Sequence, residues 1–269
     1  MTLADSRPHP GRPQVVILCG GRGTRLREHT EGIPKPLVEI GGMPIVWHLM
    51  KIYSEYGFRD FILCLGYKGD KIKDFFMNFT SRCEGDFVLE VRNGERQVHG
   101  RHYGLDDWRV SFVDTGLETN TGGRIKRIEP HITSPIFFAT YADGLANIDL
   151  TSLLEFHLAC GRIGTVTCVR PRSQFGIVTL DGTLVTRYEE KPLMTEWVSG
   201  GFFVFNREIF KYLADDDILE RRPIEQLCAD RQLAAYQFER FWACMDTYKD
   251  TQTLNDLWHS DSAPWKIWK

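Results

Sequence analysis

Directly after a short apolar run, Val15–Cys19, the chain reads Gly20-Gly21-Arg22-Gly23-Thr24-Arg25-Leu26. Without Cβ atoms, glycines let backbone N–H groups close on a polyphosphate, and Arg25 adds a planar fork of donors that suits phosphate oxygens. The turn is not a dinucleotide fingerprint, because Leu26 stands where G-x-G-x-x-G needs its third glycine. It is not a Walker loop either, because no G-K-[ST] closes it. Taken alone, such a turn also serves purely structural ends. Ten residues past Arg25, however, Lys35 sits between Pro34 and Pro36, whose fixed φ angles hold its backbone in place. Either feature by itself has a bland reading, a tight turn or a surface lysine. Together, two cations and a row of amides at one mouth make a triphosphate the natural ligand.

A triphosphate is handled with a divalent cation, and Mg²⁺ favours one or two carboxylates beside water and phosphate oxygens. Asp143, in Tyr141-Ala142-Asp143-Gly144, follows a strand pattern, and Asp246 lies in Cys244-Met245-Asp246-Thr247. An aspartate in a turn is commonly an Asx-turn residue or helix cap, so on the residues alone both roles stay open. Glu189-Glu190-Lys191-Pro192 offers a carboxylate to sugar hydroxyls and a lysine to a phosphate, or is a solvated charged turn. Thr121-Gly122-Gly123-Arg124 reads as a helix start or as a turn facing a base and sugar. His48, His99, His102, His131 and His157 have no ligand-like spacing and are expected to be structural or exposed.

The elements that must carry these residues alternate between short β-branched runs and helical patterns, as in a mostly parallel sheet covered by helices. Strands are expected at Val15–Cys19, Phe61–Leu65, Phe87–Val91, Val110–Val113 and Ile136–Thr140, then at Ile163–Val169 and Trp197–Phe205. Ile177–Leu180 and Leu184–Tyr188 flank an Asp181-Gly182 hairpin turn. Helices are expected over Pro44–Tyr56, Ile72–Phe79, Ile125–Ile132 and Thr151–Ala159, the last with Thr151 as its cap, and around Ile209–Leu213, Ile224–Cys228 and Lys249–Trp258. Asp143 thereby falls just past a strand's carboxyl end, where open α/β sheets bind ligands. The Gly-punctuated excursion between Val91 and Trp108 reads as a hairpin arm, and Trp258, Trp265 and Trp268 as a C-terminal clasp.

Composition narrows the function classes. Lys and Arg number 33 against 36 Asp and Glu, a net charge of -3, so no basic excess exists to neutralise a nucleic-acid backbone. With 42% hydrophobic and 26% charged residues, the 269-residue chain matches an ordinary globular protein, and no apolar run reaches the ~20 residues that span a bilayer. Seven scattered cysteines without a C-x-x-C pair point to reduced thiols rather than disulfides or a zinc ribbon, and no secretory segment opens the chain. The expectation is a cytoplasmic protein without membrane or nucleic-acid partners, with a flexible tail at 1–13 and a single domain over 14–269.

As a set, Leu18–Leu26 and Pro34-Lys35-Pro36-Leu37 resemble the signature of the sugar-1-phosphate nucleotidylyltransferases. Gly41–Ile45, Trp47-His48, Gly66–Gly69, Val113–Gly116, Thr121–Arg124, Gly200–Val204, Met245-Asp246-Thr247 and Ala263–Lys266 resemble the glucose-1-phosphate cytidylyltransferase branch. The resemblance implies an α/β, Rossmann-like nucleotidyltransferase fold with a mixed, mostly parallel sheet flanked by helices. The implied reaction is one-step cytidylyl transfer from CTP to a sugar-1-phosphate, α-D-glucose 1-phosphate first among them, giving a CDP-sugar and pyrophosphate. It assigns Arg25 and Lys35 to catalysis and Asp143 and Asp246 to Mg²⁺. Leu18, Gly20, Gly21, Arg22, Gly23, Thr24, Thr121, Gly122 and Arg124 go to the nucleotide, and Glu190, Lys191 and Gly201 to the sugar phosphate. Ala142 and Ser199 depart from the family's Gly-Asp-Gly and Asn-Gly-Gly, which leaves the sugar open. Glycines and lysine carry no base information, so thymidylyl or uridylyl transfer, or a catalytically silent nucleotide-binding regulator, also fit. A homo-oligomer is expected from the hairpin excursion and from the resemblance.

Overall fold

A computed structural model of the chain describes residues 12–23, 32–79, 83–92, 95–102 and 107–268. In chain order they form β1 (Gln14–Leu18), a 3₁₀ turn (Lys35–Leu37), β2 (Glu39–Ile40), β3 (Met43–Pro44), α1 (Ile45–Glu55), β4 (Asp60–Leu65) and α2 (Gly69–Met77). The hairpin β5 (Cys83–Arg92) and β6 (Glu95–His102) precedes β7 (Arg109–Asp114), α3 (Thr121–Arg127), β8 (Ile136–Tyr141), β9 (Gly144–Ala146), α4 (Leu150–Cys160) and β10 (Gly164–Val169). A second hairpin, β11 (Ile177–Asp181) and β12 (Leu184–Glu189), leads to β13 (Val198–Asn206), α5 (Arg222–Ala229), β14 (Leu233–Phe238), β15 (Trp242–Cys244) and α6 (Tyr248–His259).

Seven strands make the central sheet in the order β14-β10-β13-β8-β1-β4-β7. β8, β1, β4 and β7 run parallel, and β13 is antiparallel to both β8 and β10. Four neighbouring strands therefore present their carboxyl ends, Tyr141, Leu18, Leu65 and Asp114, along one rim. β1 is buried on both faces, as its unbroken β-branched run requires. Val15 and Ile17 pack with Leu49 and Tyr53 of α1, while Val16 packs with Ile125 of α3 and Leu227 of α5. Burying both faces fixes the strand's register, and with it the point where the glycine turn leaves the sheet.

The expected fold class is the one observed, with local differences. Asp149, rather than Thr151, caps α4, accepting from the Ser152 N–H at 2.9 Å, because Thr151 already lies inside the helix. The pattern over Ile125–Ile132 divides into α3 and a 3₁₀ turn at Glu129–His131, and Ile209–Leu213 overlaps a 3₁₀ turn at Arg207–Lys211. The tryptophan clasp is present: Trp258 meets the His48 ring edge-on at 4.7 Å, and Trp268 meets Trp47 at 5.7 Å. Among the described residues no helix is long and apolar enough to cross a membrane.

Candidate active site

The glycine turn leaves β1 and is tied to the next strand over by backbone bonds: Cys19 N–H donates to Cys64 O at 3.0 Å and Tyr67 N–H to Gly20 O at 3.1 Å. Arg124 of α3 completes the anchor. Its guanidinium, 4% exposed, donates to the carbonyls of Gly20 (3.0 Å), Leu65 (2.9 Å), Gly116 (2.8 Å) and Leu117 (3.3 Å) and to Thr115 Oγ1 (2.8 Å). One buried cation thus ties the ends of β1, β4 and β7 together. A Cβ on Gly20 would overlap that guanidinium, which explains the residue without reference to any ligand.

Lys35 enters from the 3₁₀ turn that the two prolines set up, closed by Leu37 N–H donating to Pro34 O at 2.8 Å. Its ammonium donates to Asp143 Oδ2 at 2.6 Å and to Asp246 Oδ1 at 2.7 Å. These two aspartates are 103 residues apart and meet through a three-residue antiparallel pair. β15 aligns with β9, Cys244 opposite Gly144, and Met245 N–H donates to Asp143 O at 2.9 Å. The Asp250 carboxylate then holds the chain around Asp246, accepting from the N–H of Asp246 (3.1 Å) and of Thr247 (2.7 Å), while Thr247 caps α6 in return.

Burial opposes the charge on Lys35, but the Asp143 carboxylate, helped by Asp246, outweighs it and holds the ammonium above the ordinary lysine range. The nearby Cys244 thiol is pushed up by burial and by the same two carboxylates, which keeps it protonated. Oxygens of Asp143 and Asp246 and the sulfur of Cys244 lie within 4.8 Å of one another. Two half-buried carboxylates converging on a point that an ammonium already fills are a hard-donor set that fits a divalent cation.

A cavity of about 260 Å³ opens here. It is lined by Leu18, Gly20, Gly21 and Gly23 of the glycine turn, by Lys35, Pro36, Ala142, Asp143 and Asp246, and by Thr121, Arg124 and Tyr141. Thr24 and Arg25 lie outside the described residues. Arg22, half exposed, turns away from this lining to pair with Glu118. Gly122 is not part of the lining: a Cβ there would sit 2.8 Å from Asp217 O, and Gly123 N–H donates to Asp217 O at 3.0 Å. The two glycines of that motif thus seat the 214–221 loop on α3. Glu190 and Lys191 also lie off the cavity wall, exposed just beyond β12, with Glu190 accepting from the Tyr188 hydroxyl at 3.1 Å. Gly201 adopts a φ of 77°, and its place under the Tyr141 ring leaves no room for a side chain.

Tyr141, Cys244 and Glu220 escape a reading of the sequence. Tyr141 is two residues from Asp143 and is signalled only by that proximity, whereas Glu220, which accepts from the Thr121 and Tyr141 hydroxyls, stands between Leu219 and Arg221 in a loop whose sequence gives no hint of those partners.

The chain matches the nucleotidyl transferase family over residues 14–263. It is 41% identical over 257 residues to a probable glucose-1-phosphate cytidylyltransferase of Bacillus subtilis, covering 95% of this chain and all of the relative. It is 39% identical over 259 residues to a glucose-1-phosphate cytidylyltransferase of Salmonella typhimurium, with the same coverage. Among solved structures, HddC from Yersinia pseudotuberculosis shares the fold with a TM-score of 0.67 at 22% identity, over 92% of this chain and 100% of that one.

Proposed function

The chain belongs to the nucleotidyl transferase family, and on that footing we propose that it transfers the cytidylyl group of CTP to α-D-glucose 1-phosphate. A phosphate oxygen of the sugar-1-phosphate attacks the α-phosphorus, the bond to the bridging oxygen breaks, and CDP-glucose and pyrophosphate form. The observation that carries this reading is the meeting of Lys35 with Asp143 and Asp246 beside the open glycine turn. Two relatives of near full length at 39–41% identity, both named for this reaction, supply the substrates.

The residues divide the work accordingly. Amides of Gly20, Gly21 and Gly23 face the triphosphate, Lys35 neutralises charge near the α-phosphate, and Arg25 stabilises the departing pyrophosphate. Glu190, Lys191 and Gly201 serve the sugar phosphate. Asp143 and Asp246 hold Mg²⁺, which when bound offsets the charge gathered on the phosphates. The attacking oxygen is already anionic, so the reaction needs positioning and charge neutralisation rather than a protein nucleophile or a general base.

The test is Mg²⁺-dependent pyrophosphate release from CTP, UTP, dTTP, ATP and GTP, each paired with glucose-1-phosphate and several other sugar-1-phosphates. Turnover led by CTP with glucose-1-phosphate is expected, which would make Ala142 and Ser199 neutral variation. Preference for another base overturns the nucleotide, and preference for another sugar assigns the difference to those two positions.

A further inference from the structure

The 214–221 loop brings Glu220 against Thr121 and Tyr141, two residues of the cavity lining. Its Oε2 accepts from Thr121 Oγ1 at 2.8 Å, and its Oε1 accepts from the Tyr141 hydroxyl. Thr121 Oγ1 in turn accepts from Leu219 N–H at 2.9 Å, so the threonine has its hydrogen committed to the glutamate and an oxygen lone pair to the loop. The loop is rigid at its root, where Asp217 accepts from Ala214 N–H (2.7 Å) and Arg222 Nε (3.0 Å). One carboxylate therefore joins a residue at the start of α3 to one at the end of β8, 20 positions later in the chain.

Tyr141 is the informative partner. Its ring lies over the bare backbone of Gly201, a contact that a Cβ would destroy, and its own carbonyl leads into Ala142 and Asp143. A tyrosine held only by its ring could swing about χ1. Held by its hydroxyl as well, it has one orientation.

We propose that Glu220 is a positioning residue for the transfer, fixing Tyr141 over Gly201 and so shaping the sugar-phosphate half of the site. The inference rests on the assignment of Gly201 to the sugar phosphate made above. A charge-assisted bond from a phenol is among the stronger side-chain hydrogen bonds, and its loss at a partly exposed site is expected to cost about tenfold in the affinity it supports.

The experiment compares Glu220→Ala, Glu220→Gln and Tyr141→Phe with the unaltered protein, using whichever nucleotide and sugar-1-phosphate that protein turns over best. Glu220→Ala should raise KM for the sugar-1-phosphate about tenfold, move KM for the nucleotide by less than about threefold because Thr121 keeps its bond from Leu219 N–H, and leave Tm within about 2 °C. Glu220→Gln, which keeps the shape and an acceptor, should recover most of the loss. Tyr141→Phe should match Glu220→Ala, and the double variant should be no worse than either. Equal shifts in both KM values, a shift confined to the nucleotide, additive single effects, or a fall in Tm that accounts for the activity loss would each overturn the proposal. If the unaltered protein turns over no pair, the functional assignment fails by itself. The clamp is then read by calorimetric binding of glucose-1-phosphate to the same variants, where loss of affinity in both Glu220→Ala and Tyr141→Phe supports it and unchanged binding refutes it.

Discussion

Replacing Lys35 by Met should slow the reaction and tighten the metal site at once. The ammonium contacts both carboxylates at 2.6 and 2.7 Å, and the side chains of Lys35, Asp143 and Asp246 are only 13%, 24% and 30% exposed. A pair of unit charges near 4 Å is worth about 1 kcal/mol in water and about 4 at an effective dielectric near 20. Mg²⁺ entering between the aspartates must displace or push back this cation, so a gain of about 1.4 kcal/mol, tenfold in affinity, is a conservative expectation for Lys35→Met. Thermal unfolding with added Mg²⁺ and no nucleotide measures it. At the concentration that half-saturates the unaltered protein, stabilisation should be about 0.4 kcal/mol, against about 1.4 kcal/mol for the variant. In EDTA the variant should melt earlier, because two carboxylates then face each other without a counter-charge. Turnover should nonetheless fall about 10²–10³-fold, as for loss of one transition-state donor. An unchanged or weaker Mg²⁺ response, or kcat within about threefold of the original, would refute the argument that Lys35 holds the cation position and works on the phosphates.

Asp246→Asn should shift the Mg²⁺ activation curve to higher concentration by about tenfold or more, and an unmoved curve would remove Asp246 from the metal site. Arg124→Ala should lower stability by about 3 kcal/mol or more, since it strips the partner from several buried carbonyls, and should raise KM for CTP through the loosened Gly20 turn; urea unfolding and steady-state kinetics check the two effects. Arg124→Lys should rescue little, because an ammonium cannot reach acceptors on three strand ends. His48 is pushed down to about 4 by burial, although its backbone bond to Ile40 O (2.8 Å) opposes the shift. The unfolded chain protonates near 6.5 and the folded one only near 4, so the neutral ring's contribution is complete above pH 6.5 and lost as pH falls towards 4, by roughly 3 kcal/mol in all. His48→Gln should flatten the fall of stability between pH 6.5 and 4, and an unchanged slope would show that His48 does not set it.

What the sequence reveals divides along the range of the interactions. Val15–Cys19, Phe61–Leu65 and the Asp181-Gly182 hairpin announce themselves through local periodicity and turn chemistry, and the strands lie within a residue or so of those runs. β9 and β15, at three residues each, are too short to carry a period, yet their pairing is what brings Asp246 to Asp143. Local pattern names both aspartates without bringing them together; only the family resemblance, which assigns both to Mg²⁺, implies that they meet. Arg124 is the sharper case: four of its five acceptors are backbone carbonyls, which any residue type supplies, so no pattern in the sequence marks them.

The same distinction sorts the glycines. Gly20 and Gly201 are required by a side chain that lies against them, Arg124 in one case and Tyr141 in the other, and Gly122 by a loop carbonyl. A motif that looks like ligand-facing backbone is, at these three positions, first a matter of close packing between distant segments. That packing has a functional consequence all the same. It locks the cavity's lining together through Arg124 and Glu220, and the β9–β15 pair holds Asp143 beside Asp246, while Lys35 is joined to those two carboxylates by charge-assisted bonds alone. A site built in this way keeps its shape when the charges rearrange around an incoming triphosphate, which is the preorganisation that transfer between two anionic phosphates demands.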